Sequence, residues 1–236
     1  MKRERNAIPV LLVILLLLTA AAGGLMMGKP YIIDKQRQNA EAAMFSMIES
    51  GQTEIAMENL PEIEGEQFSE MEDLGDMFDE NSGVQQPSDT QQTETKTITG
   101  YGLIEIPAIE LEMPLVKGAD SYSLRAAVGW WPQSAQMGTA GNCAVFGHRM
   151  VTYGRHFNRL DELKQGDEVT LYNMEGEQFT YKVTGSEVIE PGSLVEKLYE
   201  HSDGFQLTLV TYTPTGVGSH RLLVYGELAS APSKED

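Results

Sequence analysis

The chain of 236 residues contains one cysteine, Cys143. No intrachain disulfide can form, so the fold has to be held by its core. A lone cysteine of this kind reads as a buried small residue rather than as an exposed thiol. Positive charge is also scarce: 17 Lys and Arg stand against 35 Asp and Glu, a formal net charge of −18. That balance argues against nucleic acid as a partner and against docking of the polar part on anionic lipid. The four histidines form no metal-ligand spacing with the acidic residues, and no glycine-rich phosphate loop is present. No metal and no cofactor is therefore expected. The two tryptophans, Trp130 and Trp131, read as packing residues rather than as a ligand platform.

What is present divides the chain into unlike parts. Residues 1–6 include Lys2, Arg3 and Arg5, and residues 7–28 carry no charge and are mostly apolar. That run is long enough to span a bilayer as a helix, and its basic flank favours a cytoplasmic N-terminus. A cleaved signal peptide is the competing reading, with Ala20-Ala21-Ala22 as the small-residue site. The run continues through Leu25-Met26-Met27, which favours a single-pass anchor in the cell membrane. In either case the remainder lies outside the cytoplasm.

Residues 29–48 are compatible with a helix. Ile33, Arg37, Ala40, Met44, Met47 and Ile48 form a partial apolar stripe, read as a stalk that continues the anchor. Residues 49–95 hold fourteen Asp or Glu and no Lys or Arg. Few large apolar residues can be buried there, so residues 49–98 read as an acidic disordered linker. Such a coil spans roughly 40 Å and would hold the following domain off the membrane.

From Thr99 the composition turns globular, and residues 99–228 form the folded domain, with 229–236 a tail. Gly102–Ile106 and Met113–Val116 read as strands, and Ser121–Ala127 as one helical turn. Trp130 to Asn142 reads as a loop, and Ala144–Phe146 as a strand. Glu168–Tyr172 and Gln178–Val183 make a hairpin, Glu187–Glu190 a further strand, and Ser193–His201 a helix. Many short strands between turns point to an all-β barrel or sandwich with short helices. His156 and His201 sit in polar surroundings and read as surface residues.

The stretch Gln206–Gly226 organises the rest. Leu207, Leu209 and Thr211 alternate with Thr208, Val210 and Tyr212, the period of a strand. Thr213-Pro214-Thr215-Gly216-Val217-Gly218 is a turn, and Arg221–Tyr225 begins a second strand. Tyr212 and Arg221 should therefore meet, at a loop tip that suits a functional site.

Thr208-Leu209-Val210-Thr211-Tyr212, followed by His220-Arg221-Leu222, resembles the signature of sortases, the cysteine transpeptidases of Gram-positive cell surfaces. Upstream, Phe146-Gly147-His148-Arg149 resembles the family's Gly-His-Arg. The resemblance covers roughly Thr99 to Leu228 and implies a closed eight-stranded barrel. It implies that His148 takes the place of the catalytic histidine and Arg221 that of the catalytic arginine. Thr211, Thr213 and His220 fall where substrate would be bound. The nucleophilic cysteine is replaced by Tyr212. Some pilin-type sortases carry an N-terminal lid with an Asp-Pro-aromatic motif. Asp73-Leu74-Gly75-Asp76-Met77-Phe78 is acidic and aromatic but has no proline.

The chemistry implied by the resemblance is acyl transfer. A thiolate attacks the Thr–Gly bond of a Leu-Pro-x-Thr-Gly-type signal, His acts as general acid and base, and Arg stabilises the oxyanion. An amine on a peptidoglycan precursor or a pilin then accepts the acyl group. A phenol has a reference pKa of about 10 against about 8.5 for a thiol, is bulkier, and suits peptide acyl transfer poorly. On an extended strand Cys143 and Val145 face away from Ala144, Phe146 and His148, so Cys143 is a poor replacement. The expectation is a non-catalytic, membrane-anchored sortase-like protein. Its partners would be sorting-signal-bearing surface proteins, pilins or another sortase. The alternative is an active transpeptidase or hydrolase with an atypical nucleophile.

Overall fold

The computed structural model describes residues 31–58, 60–61, 95–150, 156–200 and 203–232. The apolar run 7–28 and the acidic-aromatic stretch Asp73–Phe78 lie outside them. Among the described residues no helix is long and apolar enough to cross a membrane.

A helix, α1, covers residues 31–49. Strand β1 follows at Glu54–Glu58, then β2 (Thr95–Ile106), β3 (Leu111–Lys117), β4 (Val128–Trp130) and β5 (Gly141–Phe146). Next come β6 (Glu168–Asn173), β7 (Gln178–Ile189), helix α2 (Leu194–Glu200), β8 (Phe205–Thr213) and β9 (His220–Ser230). Hydrogen bonding runs in the order β2-β3-β4-β5-β8-β9-β7-β6, and β6 pairs with β2 again. Eight strands thus close into a barrel, which leaves no open edge within the cycle. β1 is a ninth strand, added to the N-terminal half of β2.

The closed barrel is the expected fold, and its interior follows the period-two pattern of the sequence. Leu207 and Leu209 of β8, Leu222 and Val224 of β9, and Cys143 and Val145 of β5 all join the inner core. Ile104, Ile106, Leu115, Val169, Leu171 and Tyr181 fill it from the other strands. The alternate residues Ala144, Phe146, Val210, Tyr212, Leu223 and Tyr225 form an outer cluster closed by Leu194 and Leu198 of α2. Each fully buried Leu or Val contributes roughly 1.5–3 kcal/mol, so both faces are energetically committed. On the outer face the Asn142 side chain donates to the Leu198 carbonyl and accepts from the Thr208 hydroxyl, both at 2.9 Å, which ties α2 to β5 and β8.

Three local readings differ from the sequence expectation. The two strands expected at Gln178–Val183 and Glu187–Glu190 are one strand, β7, with a register shift between Val183 and Gly185. Trp130 lies in β4, not in a loop. Its strand is only three residues long and pairs in parallel with β3, too short to show a period of its own. Both tryptophans are buried, and Trp130 stacks on Tyr101 with ring centroids 4.2 Å apart.

The third difference concerns the acidic stretch. Glu54–Glu58 and Thr95–Ile98 fall within the expected linker but are paired strands. The glutamates hide a strand period: Ile55 and Met57 point inward opposite Ile98 and Lys96, while Glu54 and Glu58 stay exposed. Glu58 pairs with Thr95, so the chain leaves and re-enters the sheet at neighbouring positions about 5 Å apart. No 40 Å spacer therefore separates α1 from the barrel. The stripe on α1 is the face that meets the barrel. Arg37, Ala40, Met44, Met47 and Ile48 are buried, with Ala40 and Met44 against Ile98, Val116, Tyr122, Ala126 and Ala127. Tyr122 clamps the attachment, its hydroxyl donating to the Met57 carbonyl at 2.9 Å.

Candidate functional site

The C-terminal ends of β5 and β8 and the start of β9 meet at one pole of the barrel. β5 and β8 run parallel with Phe146 beside Val210, and the Gly147 amide continues the ladder to the Val210 carbonyl at 3.1 Å. β8 and β9 are antiparallel, with Tyr212 opposite Arg221 and Thr213 opposite His220. The register thus brings His148, Tyr212 and Arg221 to the same end of the same sheet. Gly147 has a steric reason: a Cβ there would lie 2.6 Å from the Phe157 ring, which packs directly on the backbone before His148.

The pole is closed. His148, Tyr212 and Arg221 are 0%, 8% and 1% exposed. The Arg221 guanidinium lies over the Tyr212 ring, 4.3 Å from its centroid. Its Nη1 donates to the carbonyls of Gly218 and His220, at 3.0 and 3.1 Å. A desolvated cation over a phenol face contributes on the order of 2 kcal/mol, and here it fixes ring and guanidinium against each other. Burial holds the His148 imidazole well below its ordinary pKa, reinforced by the neighbouring His156 and by the Arg125 and Arg37 guanidinium groups. His148 is therefore neutral at neutral pH.

The remaining expected residues have definite roles. The Thr211 hydroxyl is buried and donates to the Gly147 carbonyl at 2.8 Å, locking β8 to the loop that carries His148. Thr213 accepts from Arg149 Nη1 at 2.9 Å. His220 points away from Arg221, as a strand requires, and lies 3.2 Å from Glu190 and 2.9 Å from the Ser219 hydroxyl. Cys143 is buried in the barrel interior, on the face opposite to Tyr212, and burial pushes its thiol far up in pKa.

Two contributors were not singled out in the sequence. Arg149 is buried and bridges Tyr212 O, Thr213 and Asp161, the last at 2.7 Å. It belongs to the Gly-His-Arg motif, which is the signal that could have marked it. His156 is not a surface residue: it is 4% exposed, with its ring 6.2 Å from that of His148. The bridge between Arg149 and His156 folds this segment back onto the pole, a contact that polar neighbours in sequence do not reveal. Among the described residues no cluster of His, Cys, Asp or Glu could hold a metal ion.

Known proteins resemble this chain in sequence and fold. A family model described as Sortase domain matches residues 104–229. Sortase A of Bacillus anthracis is 32% identical over 134 residues, covering 57% of this chain and 62% of that protein. Sortase D of Bacillus subtilis is 29% identical, covering 63% of this chain and 75% of that protein. The match thus spans less than two thirds of the B. anthracis relative. Among solved structures, sortase C1 from Streptococcus agalactiae superposes with a TM-score of 0.50 at 33% identity, over 56% of this chain and 68% of that one.

Proposed function

Because the chain belongs to the sortase family, we propose that it is a non-catalytic member that binds sorting-signal-bearing surface proteins or pilins at the cell surface without cleaving them. In this reading residues 7–28 anchor it in the cell membrane with the barrel outside the cytoplasm. The observation that carries the proposal is the seat of Tyr212. The family motif assigns that position to the nucleophile, and here it holds a phenol packed under the Arg221 guanidinium.

The chemistry follows from the groups present. Acyl transfer needs an anion that attacks a carbonyl and then leaves. A phenol with a reference pKa near 10 is protonated at neutral pH, and it lacks the leaving ability of a thiol. The arginine that would face an oxyanion in the family reaction is instead laid on an aromatic ring and tied by Nη1 to two carbonyls. The sole thiol is sealed inside the barrel. The frame of a sortase site is retained, with Gly147-His148-Arg149 on one side and Thr211 and Arg221 on the other, and this frame supports recognition of an extended peptide.

The test uses the full chain in detergent with fluorescent Leu-Pro-x-Thr-Gly-type peptides and a primary amine. Anisotropy reports binding, and chromatography of the same samples reports cleavage. Saturable binding with intact peptide is expected. A folded protein that binds no member of the panel would remove the accessory role, and released product would remove the non-catalytic one.

A further inference from the structure

α1 enters the fold at the pole that holds His148, Tyr212 and Arg221. Its middle, at Gln38, Glu41, Ala42 and Phe45, lines a cavity of about 350 Å³ with Glu110–Met113 and His156. The His156 ring is 6.2 Å from that of His148. The last turn of α1 lies toward the other end: a Cβ on Gly100 would meet the Met47 Cε at 2.9 Å and the Met174 Sδ at 3.2 Å. β2 runs from Gly100 toward the hairpin at Pro107–Ile109, so α1 and β2 are oppositely directed. The start of α1 and the candidate site therefore share one end of the barrel.

Chain length then limits where that end can be. Tyr31 precedes Arg37 by six helical residues, about 9 Å of rise. Three residue steps separate Gly28 from Tyr31, at most about 11 Å of chain. The end of the apolar run 7–28 thus lies within about 20 Å of Arg37, whatever the course of the connecting residues. The same pole exposes large apolar side chains. Tyr31 and Ile32 are 69% and 57% exposed, and Val217 at the tip between β8 and β9 is 61% exposed. Val188, one pair along β7 and β9 from Arg221, is 57% exposed. Aromatic and aliphatic side chains of this kind suit the boundary between headgroups and water.

We propose that this pole is a membrane-facing surface: Tyr31, Ile32 and the Val217 loop rest at the lipid headgroups, and the His148–Tyr212–Arg221 end of the barrel faces the bilayer. The proposal rests on the reading of residues 7–28 as an anchor. The partner is the bilayer in which the chain itself is anchored. Contact is imposed by the short connection rather than by charge, which the exposed Glu110 and Glu112 would oppose on anionic lipid. The surface accordingly engages zwitterionic lipid equally well.

The experiment places a fluorophore on the full-length chain at Val217→Cys or at Phe205→Cys. Phe205 is half-exposed and begins β8, about 26 Å of strand from Thr213. Cys143 is buried and does not compete for the label. Each protein is reconstituted into phosphatidylcholine vesicles containing headgroup-nitroxide lipid, after flotation shows that it is inserted. Several-fold stronger quenching at position 217 than at position 205 is expected, unchanged by added salt. Equal or absent quenching in protein that floats would overturn the orientation and leave the anchor standing. Failure to float would overturn the anchor and the orientation together. Far-UV circular dichroism of both labelled proteins checks that the fold is kept.

Discussion

On the inner face of β5, β8 and β9, Cys143, Val145, Leu207, Leu209, Leu222 and Val224 are packed into one apolar core. On the outer face, one residue along each strand, stand Asn142, Thr208, Tyr212 and Arg221, together with Ala144, Phe146 and Val210. The chain's one thiol lies on the inner face, and Tyr212, the residue the proposal reads at the nucleophile position, lies on the outer. The period of a strand allows no exchange between them, because a one-residue slip would turn the whole core outward. Cys143 is therefore held on the side of the sheet away from Tyr212.

The largest effect expected from this contrast is in thiol reactivity. Cys143 should react with a small thiol reagent only through unfolding, and Tyr212→Cys should react at the pole of the native protein. With ordinary domain stability the difference is on the order of a thousandfold or more in rate. Mass-resolved labelling in native buffer measures it, and comparable rates at the two positions would erase the distinction between the faces. Next comes the inner face itself. Leu209 is fully buried, and Leu209→Ala should cost about 2–5 kcal/mol in urea unfolding at unchanged m-value. A loss well below that range would mean that the interior collapses around the change.

The third effect separates the faces by pH. Burial depresses His148, so as the pH falls through about 6.5 the unfolded chain takes up a proton that the native chain does not. Its contribution is full above that value and declines below it by up to about 1.4 kcal/mol per pH unit. His148→Gln should flatten unfolding free energy between pH 7 and pH 5, whereas Leu209→Ala should leave the slope unchanged. The smallest effect is at the rim. Asp161 pairs with buried Arg149 but is itself half-exposed, and Asp161→Asn should cost about 1 kcal/mol or less. A much larger loss would show that Arg149, not the Tyr212–Arg221 stack, holds the pole together.

The barrel and the pairing of Tyr212 with Arg221 were legible because they depend on alternation within single strands and on one short turn. The separation of Cys143 from Ala144 and Phe146 was legible for the same reason. What escaped depends on tertiary contacts that alternation along a strand does not encode. β1 has a period of two, but its glutamates resemble those of the acidic stretch until Ile98 is set against Ile55. His156 is buried by a bridge to Arg149, and α1 docks through a stripe whose partner surface is built from β2, β3 and the turn around Tyr122. The stripe itself was visible, including Arg37; the sequence does not say whether such a face meets a membrane-proximal neighbour or its own barrel.

The account turns on whether Tyr212 can carry an acyl group, and intact-protein mass spectrometry answers that directly. The full chain is incubated with sorting-signal peptides without an amine acceptor, so that any acyl-enzyme accumulates. The wild-type mass should remain unchanged with every peptide. A stable increase equal to the acyl portion of a peptide, absent from Tyr212→Phe, would make the phenol a working nucleophile and contradict the non-catalytic reading.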